Sequence, residues 1–171
     1  MRGPAGRGTN DAVSPRDPVP VSEAVVRPEW TDRNGHMNLA YYVVIFDQAT
    51  DLLFDALGIG SGYSERSGNS LFVAETHIRY ERELREGERV NVASYVVGAD
   101  AKRLHFALEM RPAGEQRRAA LQELMAVHVD MAVRRVVPFP PDRRVAIAEL
   151  AAIHAERPRP AGLGRHIALP G

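Results

Sequence analysis

Apolar and polar positions divide the chain into one helical stretch followed by a series of strands. In LAYYVVIFDQATDLLFDALG, the polar side chains Asp47, Gln48, Asp51 and Asp55 fall in one narrow stripe at 3.6-residue spacing. Tyr42, Val43, Ile45, Phe46, Ala49, Leu52, Leu53, Ala56 and Leu57 cover most of the remaining circumference. An ordinary surface helix carries an apolar stripe about 100° wide, so this far wider one is predicted to be largely surrounded by protein. Asn38 can cap its start and Gly58 can stop it.

Beyond a Gly/Ser-rich loop the period falls to two. In LFVAETHIRYERE, Phe72, Ala74, Thr76, Ile78 and Tyr80 are expected on one strand face, with Val73, Glu75, His77, Arg79, Glu81 and Glu83 on the other. RVNVASYVV and RLHFALEM follow as strands, separated by the turn GADAK. RRAALQELMAVHVDMAV also suits a helix over Leu121 to Met125, but the alternating Val127, Val129, Met131 and Val133 favour a strand. Residues 21–27 supply a short first strand and VAIAELAAIHAE a terminal helix. One long apolar helix and about four strands in meander imply an α+β fold whose antiparallel sheet curls around the helix. A single copy would leave that sheet open at its edge, so two copies are expected to pair.

The chain has 171 residues, 44% hydrophobic and 26% charged, enough for one domain with a real core. Its 22 basic and 22 acidic side chains cancel, so no global field draws it to nucleic acid or to an anionic membrane. No stretch approaches the roughly 20 apolar residues needed to span a bilayer. The absence of cysteine removes disulfides, thiolate catalysis and cysteine-zinc sites, and fits a cytoplasmic setting. Residues 1–20 are rich in Gly, Pro and Arg without an apolar run, so they read as a disordered tail ahead of a domain over 21–141 and a C-terminal helix and tail over 142–171.

The polar stretch WTDRNGHMN stands directly before the apolar helix. It resembles the Asp-x-Asn-x-His-x-Asn motif of plant acyl-carrier-protein thioesterases, with Asp32, Asn34, His36 and Asn38 in register. Similar Asp-x-x-Gly-His-x-Asn loops precede the same helix in bacterial hot-dog-fold acyl-CoA thioesterases. ETHIRYEREL, DAKRLH and HVD are also similar to the thioesterase domain that accompanies carnitine dehydrogenase in some bacteria, which is assigned to betainyl-CoA or related short acyl-CoA thioesters. The resemblance runs over residues 22–141. It implies a hot-dog fold, hydrolysis of a short or polar acyl-CoA to free acid and coenzyme A, and no cofactor beyond the coenzyme A of the substrate. Other hot-dog thioesterases carry the working aspartate two positions upstream, where this chain has Trp30.

The resemblance makes Asp32, Asn34 and His36 catalytic candidates, with Glu83 as a further acid from the Tyr-x-Arg-Glu pattern and Glu75 as an alternative. Asp32 can attack the carbonyl carbon or deprotonate a water that does, and the residues leave both routes open. Gly35 lets the backbone approach the thioester. The first N–H groups of a helix lack intrahelical partners, so the backbone at Met37, Asn38, Leu39 and Tyr41 is expected to bind the oxyanion. Arg103 is a candidate for the coenzyme A phosphates. Trp30, Tyr63 and Phe72 could line a pocket for a quaternary ammonium. The histidines show no metal-ligand spacing, so no metal is expected. A hot-dog hydratase or dehydratase and a non-catalytic acyl-CoA-binding protein stand as alternatives. A homodimer or a dimer of dimers is the expected assembly.

Overall fold

The computed structural model describes residues 21–169, so the expected tail over 1–20 lies outside the described residues. The elements are β1 (Ser22–Val25), a 3-10 turn (Pro28–Trp30), α1 (Leu39–Ala56), α2 (Tyr63–Ser67), β2 (Asn69–Tyr80), β3 (Arg89–Ala99), β4 (Arg103–Pro112), β5 (Ala120–Asp130), β6 (Arg135–Val136) and α3 (Pro141–Ala155). The strands form one antiparallel sheet in the order β1-β3-β4-β5-β2, with β6 beside β5. The sheet's inner face carries Leu104, Phe106, Leu108 and Met110, all at 0% exposure, and packs on α1. Phe106 meets Phe54 of α1 edge to face at 5.7 Å. This is the helix-in-sheet arrangement of a hot-dog fold.

The expected meander holds for β3, β4 and β5 only. β2 does not turn back onto β3 but forms the far edge against β5. The chain leaving β2 fastens instead to the start of β5, where Glu81 and Arg82 N–H both donate to Ala119 C=O, at 2.8 and 3.0 Å. Alternation encodes which face is buried, not which strand lies alongside.

A bulge interrupts β2 between Val73 and Glu75 and reverses the faces expected ahead of it. Thr76, Ile78 and Tyr80 do face α1, but Val73 joins them. Phe72 turns outward with Glu75 and His77, paired with Val127. The apolar arc of α1 is also only partly covered. Tyr42, Ile45, Phe46, Ala49, Thr50 and Leu53 are buried, whereas Val43 at 40% and Val44 at 42% are open. One curled sheet covers one side of a helix, and within a single chain the other side stays bare. At its far end β5 stops at Asp130, leaving Met131 and Val133 in an exposed turn and not on a strand.

β1 pairs with residues 89–92 only, so further along β3 the edge would be open. There α3 packs down, and buried His154 accepts the Val96 N–H through Nδ1 at 2.7 Å while stacking on Tyr95. A side chain thus satisfies a backbone donor that would otherwise be orphaned. His128 is likewise structural, buried with Nε2 2.9 Å from the Tyr63 hydroxyl and Nδ1 3.1 Å from Val137 C=O.

Outside the sheet, Arg118 forks onto Glu81 and also reaches Glu109, and its hydrogen bond holds the Glu81 carboxyl below its usual range. A depressed carboxyl contributes stability that is present above its unfolded value and lost as pH falls through the folded one. Wild type is therefore expected to lose urea resistance progressively below pH 4.5, and Glu81→Gln to lose less over the same interval, measured as the denaturation midpoint against pH.

Candidate active site

The motif residues close into a small loop at the foot of α1. Thr31 and Met37 pair as an antiparallel bridge, Asp32 N–H donates to His36 C=O at 2.9 Å, and Gly35 N–H donates to Asp32 C=O at 2.9 Å. Gly35 sits at φ 74°, a left-handed conformation that glycine reaches without a Cβ penalty. The Asp32 carboxylate accepts the Asn34 backbone N–H at 2.8 Å and its side-chain amide at 3.4 Å, the local bonding that Asp and Asn favour in turns. Asn34 therefore orients Asp32.

Two backbone bonds seat this loop. Met37 N–H donates to Leu84 C=O at 2.7 Å and Asn38 N–H to Trp30 C=O at 2.9 Å. Trp30 is buried, stacked on Tyr41 at 5.4 Å with the Arg27 guanidinium 4.9 Å from its ring centre. Asn38 caps α1 as expected, its Oδ1 accepting Ala40 N–H at 3.0 Å.

The expected row of unpaired donors is corrected by the same bonds. Met37 and Asn38 N–H are taken by the loop, Ala40 N–H by the cap, and Tyr41 N–H by Asn38 C=O at 3.0 Å. Within residues 37–41, Leu39 N–H is the donor left without an acceptor among the described residues. A cap and a tight loop consume donors that a bare helix end would leave over.

The chain leaving β2 forms the wall beside this loop. Tyr42 O–H donates to Arg82 C=O at 3.1 Å, and burial pushes the phenol up to about 12, so it stays a donor. Tyr80 packs edge-on against Tyr42 at 5.2 Å. His36 Nε2 lies 3.1 Å from Glu83 Oε1. The His36 imidazole thus faces Glu83 and has no side-chain bond to Asp32. With Nε2 against a carboxylate, the neutral ring carries its proton there and keeps the Nδ1 lone pair. β2 ends at Tyr80, so Glu83 belongs to the return segment and not to the strand face expected for it. A visible signal of this wall was Leu84, the lone apolar residue in the charged run ERELREGE, which is 0% exposed.

Other candidates lie elsewhere in the chain. Glu75 points to the outer face, away from α1, where it lines a recess of ≈ 340 Å³ with His77, His105 and Glu123. Arg103 forks onto Asp100 at the β3–β4 turn, Nε 2.7 Å and Nη2 2.6 Å from Oδ2. The 11 residues of β3 place that turn about 35 Å from the strand end beside Leu84. Trp30, Tyr63 and Phe72 do not meet, since Trp30 is stacked on Tyr41, Tyr63 is bonded to His128 and Phe72 lies on the outer face. A second recess, of ≈ 400 Å³, opens beside Trp30 and is lined by Arg27, Gln48, Arg89 and Asn91.

Residues 26–148 match the family model described as the thioesterase-like superfamily. The chain is 39% identical over 148 residues to the betainyl-CoA thioesterase of Pseudomonas aeruginosa, covering 86% of this chain and 93% of that one. It is 30% identical to the L-carnitine dehydrogenase/betainyl-CoA thioesterase of Rhizobium meliloti, covering 95% of this chain but 32% of that longer protein. Among solved structures, a Staphylococcus aureus protein in complex with CoA superposes with a TM-score of 0.84 at 27% identity, covering 93% of this chain and all of that one. A 1,4-dihydroxy-2-naphthoyl-CoA thioesterase from Synechocystis shares the fold, with a TM-score of 0.67 at 19% identity over 76% of this chain and 96% of that one. No helix among the described residues is long and apolar enough to cross a membrane.

Proposed function

The chain belongs to the thioesterase-like superfamily and is a thioester hydrolase acting on acyl-CoA, and we propose that the loop over residues 31–38 is where it acts. The observation that carries this assignment is the Asp32 carboxylate, fixed by Asn34 at the foot of α1 beside the open Leu39 N–H of its first turn. Asp32 attacks the thioester carbonyl carbon or removes a proton from a water that does. Negative charge then grows on the carbonyl oxygen, which Leu39 N–H and the positive end of the α1 dipole stabilise; one such donor contributes about 3 kcal/mol. When the C–S bond breaks, coenzyme A leaves as a thiolate and takes up a proton. His36, within the loop and held by Glu83, can supply it once its Nδ1 lone pair has itself taken up a proton, from solvent or, on the water route, the one released by the attacking water.

The acyl group we favour is betainyl, on the strength of the Pseudomonas relative. The site we favour is shared between two copies. β2 is a 12-residue edge strand, and Val73 (48%) and Tyr80 (46%) on its inner face continue the bare patch of Leu39 (63%) and Val43 (40%) on α1. Such an edge invites pairing with another chain. In an antiparallel pairing, the Tyr80 end of one β2 meets the Asn69 end of the other. The Arg103 turn lies at that level, because Arg103 and Phe72 both pair with Val127. This geometry gives Arg103 a route to the substrate that a single chain denies it.

Asp32→Asn is expected to lower kcat by about 10²–10⁴-fold on a panel of acyl-CoA thioesters that includes betainyl-CoA, while ligand binding persists. Thiol release followed with a disulfide reagent checks this, and an Asn variant as active as wild type would remove Asp32 from the reaction. A single turnover in ¹⁸O-water tests direct attack, which would leave an Asp32–acyl anhydride for water to cleave: label in the Asp32 carboxylate marks cleavage at the Asp32 carbonyl, a result the general-base route cannot give. Phe72→Lys, placed at an exposed edge position, is expected to yield monomers in sedimentation velocity and to lose turnover with them. A monomeric variant with full activity would exclude a shared site.

A further inference from the structure

We propose that Arg118 is a positioning residue for the His36–Glu83 pair, acting across the sheet through Glu81. This rests on the reading of the loop as a hydrolytic centre. Glu83 is itself exposed, and among the described residues its carboxylate pairs with His36 and, at 3.3 Å, with likewise exposed Arg85. Its position is therefore set by the backbone that carries it. That backbone is pinned on both sides. Toward α1, Arg82 C=O accepts the Tyr42 hydroxyl and Leu84 C=O accepts Met37 N–H. Toward the outer face, the Glu81 carboxylate takes both Nε and Nη2 of Arg118, at 3.1 and 2.8 Å.

Arg118 is itself held rigidly. Its side chain is 11% exposed, Nη1 donates to Glu109 Oε1 at 2.7 Å, and Nη2 also donates to Ala161 C=O at 2.8 Å. Ala161 lies beyond residue 148, where the family match ends, in a tail that docks closely on the outer face. A Cβ added to Gly162 would stand 1.9 Å from Arg79 Nη1, and Gly164 N–H donates to Glu123 Oε2 at 2.7 Å. One planar guanidinium thus joins the tail, β4 and the wall of the hydrolytic loop. A lysine ammonium has no fork with which to make all these bonds. Slack in that joint displaces Glu83 and turns the His36 ring, and a misplacement of about 1 Å can cost up to 10²-fold in rate.

The test is a double-mutant cycle on acyl-CoA hydrolysis with wild type, Arg118→Met, Glu83→Gln and the double variant. Arg118→Met is expected to lower kcat about 10-fold with KM changed less than about twofold. In the Glu83→Gln background it should lower kcat no further, because the pair it serves is already broken. A purely structural role would lower the melting temperature and multiply the two losses, and that additive result overturns the proposal. Should Arg118→Met fail to fold, Glu81→Gln, which leaves Arg118 paired with Glu109, is expected to show the same non-additivity. Additivity there overturns the proposal equally. Wild type with no turnover of any acyl-CoA would remove the hydrolytic reading and this role with it, whereas an active wild type with an additive cycle would remove only the role of Arg118.

Discussion

Two stretches of backbone lie stitched side by side at the foot of α1, and the Met37 N–H to Leu84 C=O bond is the stitch. Both residues are buried, so neither group can turn to water, and leaving either unpaired would cost about 1–3 kcal/mol. That requirement brings the motif loop against the chain leaving β2. Once it is there, Tyr42 meets Arg82, Tyr80 packs on Tyr42 and His36 meets Glu83. The chemistry proposed for the loop depends on a junction between segments nearly fifty residues apart.

The same junction explains why β2 sits at an edge. A tight hairpin from β2 to β3 would have carried residues 81–84 away from α1. Running instead across the end of the sheet, the segment closes one side of the loop and is tied to Ala119 and Arg118 behind it. The consequence is an unpaired strand edge and a bare flank on α1, with exposed apolar side chains on both. A surface of that kind is where a second chain would gain most by packing, and it adjoins the loop that holds Asp32.

Much of the fold was legible before the structure. Period-two alternation picked out β3 and β4, and the strand reading of the ambiguous run around Leu121 held through Asp130. The Asn38 cap and the span of α1 followed from local propensity, which needs only neighbouring residues. What alternation could not register was the bulge at Ala74, since one extra residue shifts every side chain ahead of it to the other face. Strand order was hidden for a similar reason, because the pattern of β2 fits β5 as well as β3. Helix α2 was concealed in a loop whose Gly and Ser content suggested no structure.

For the loop chemistry, residue types and spacing were enough to single out Asp32, Asn34, Gly35 and Asn38 as one local unit, because their contacts span only a few positions. Their free donors could not be counted in that way. The helix end nominally offers several N–H groups, and only the folded loop shows that Trp30, Leu84 and Asn38, through both its side chain and its C=O, have taken all but one between residues 37 and 41. Long-range partners were equally invisible. That His36 faces Glu83, that Glu75 faces the opposite side, and that Arg103 lies a strand's length away depend on where the chain doubles back. Local hydrogen bonding is written in short spacing; which distant groups share a space is decided by packing and by the need to satisfy every buried backbone polar group.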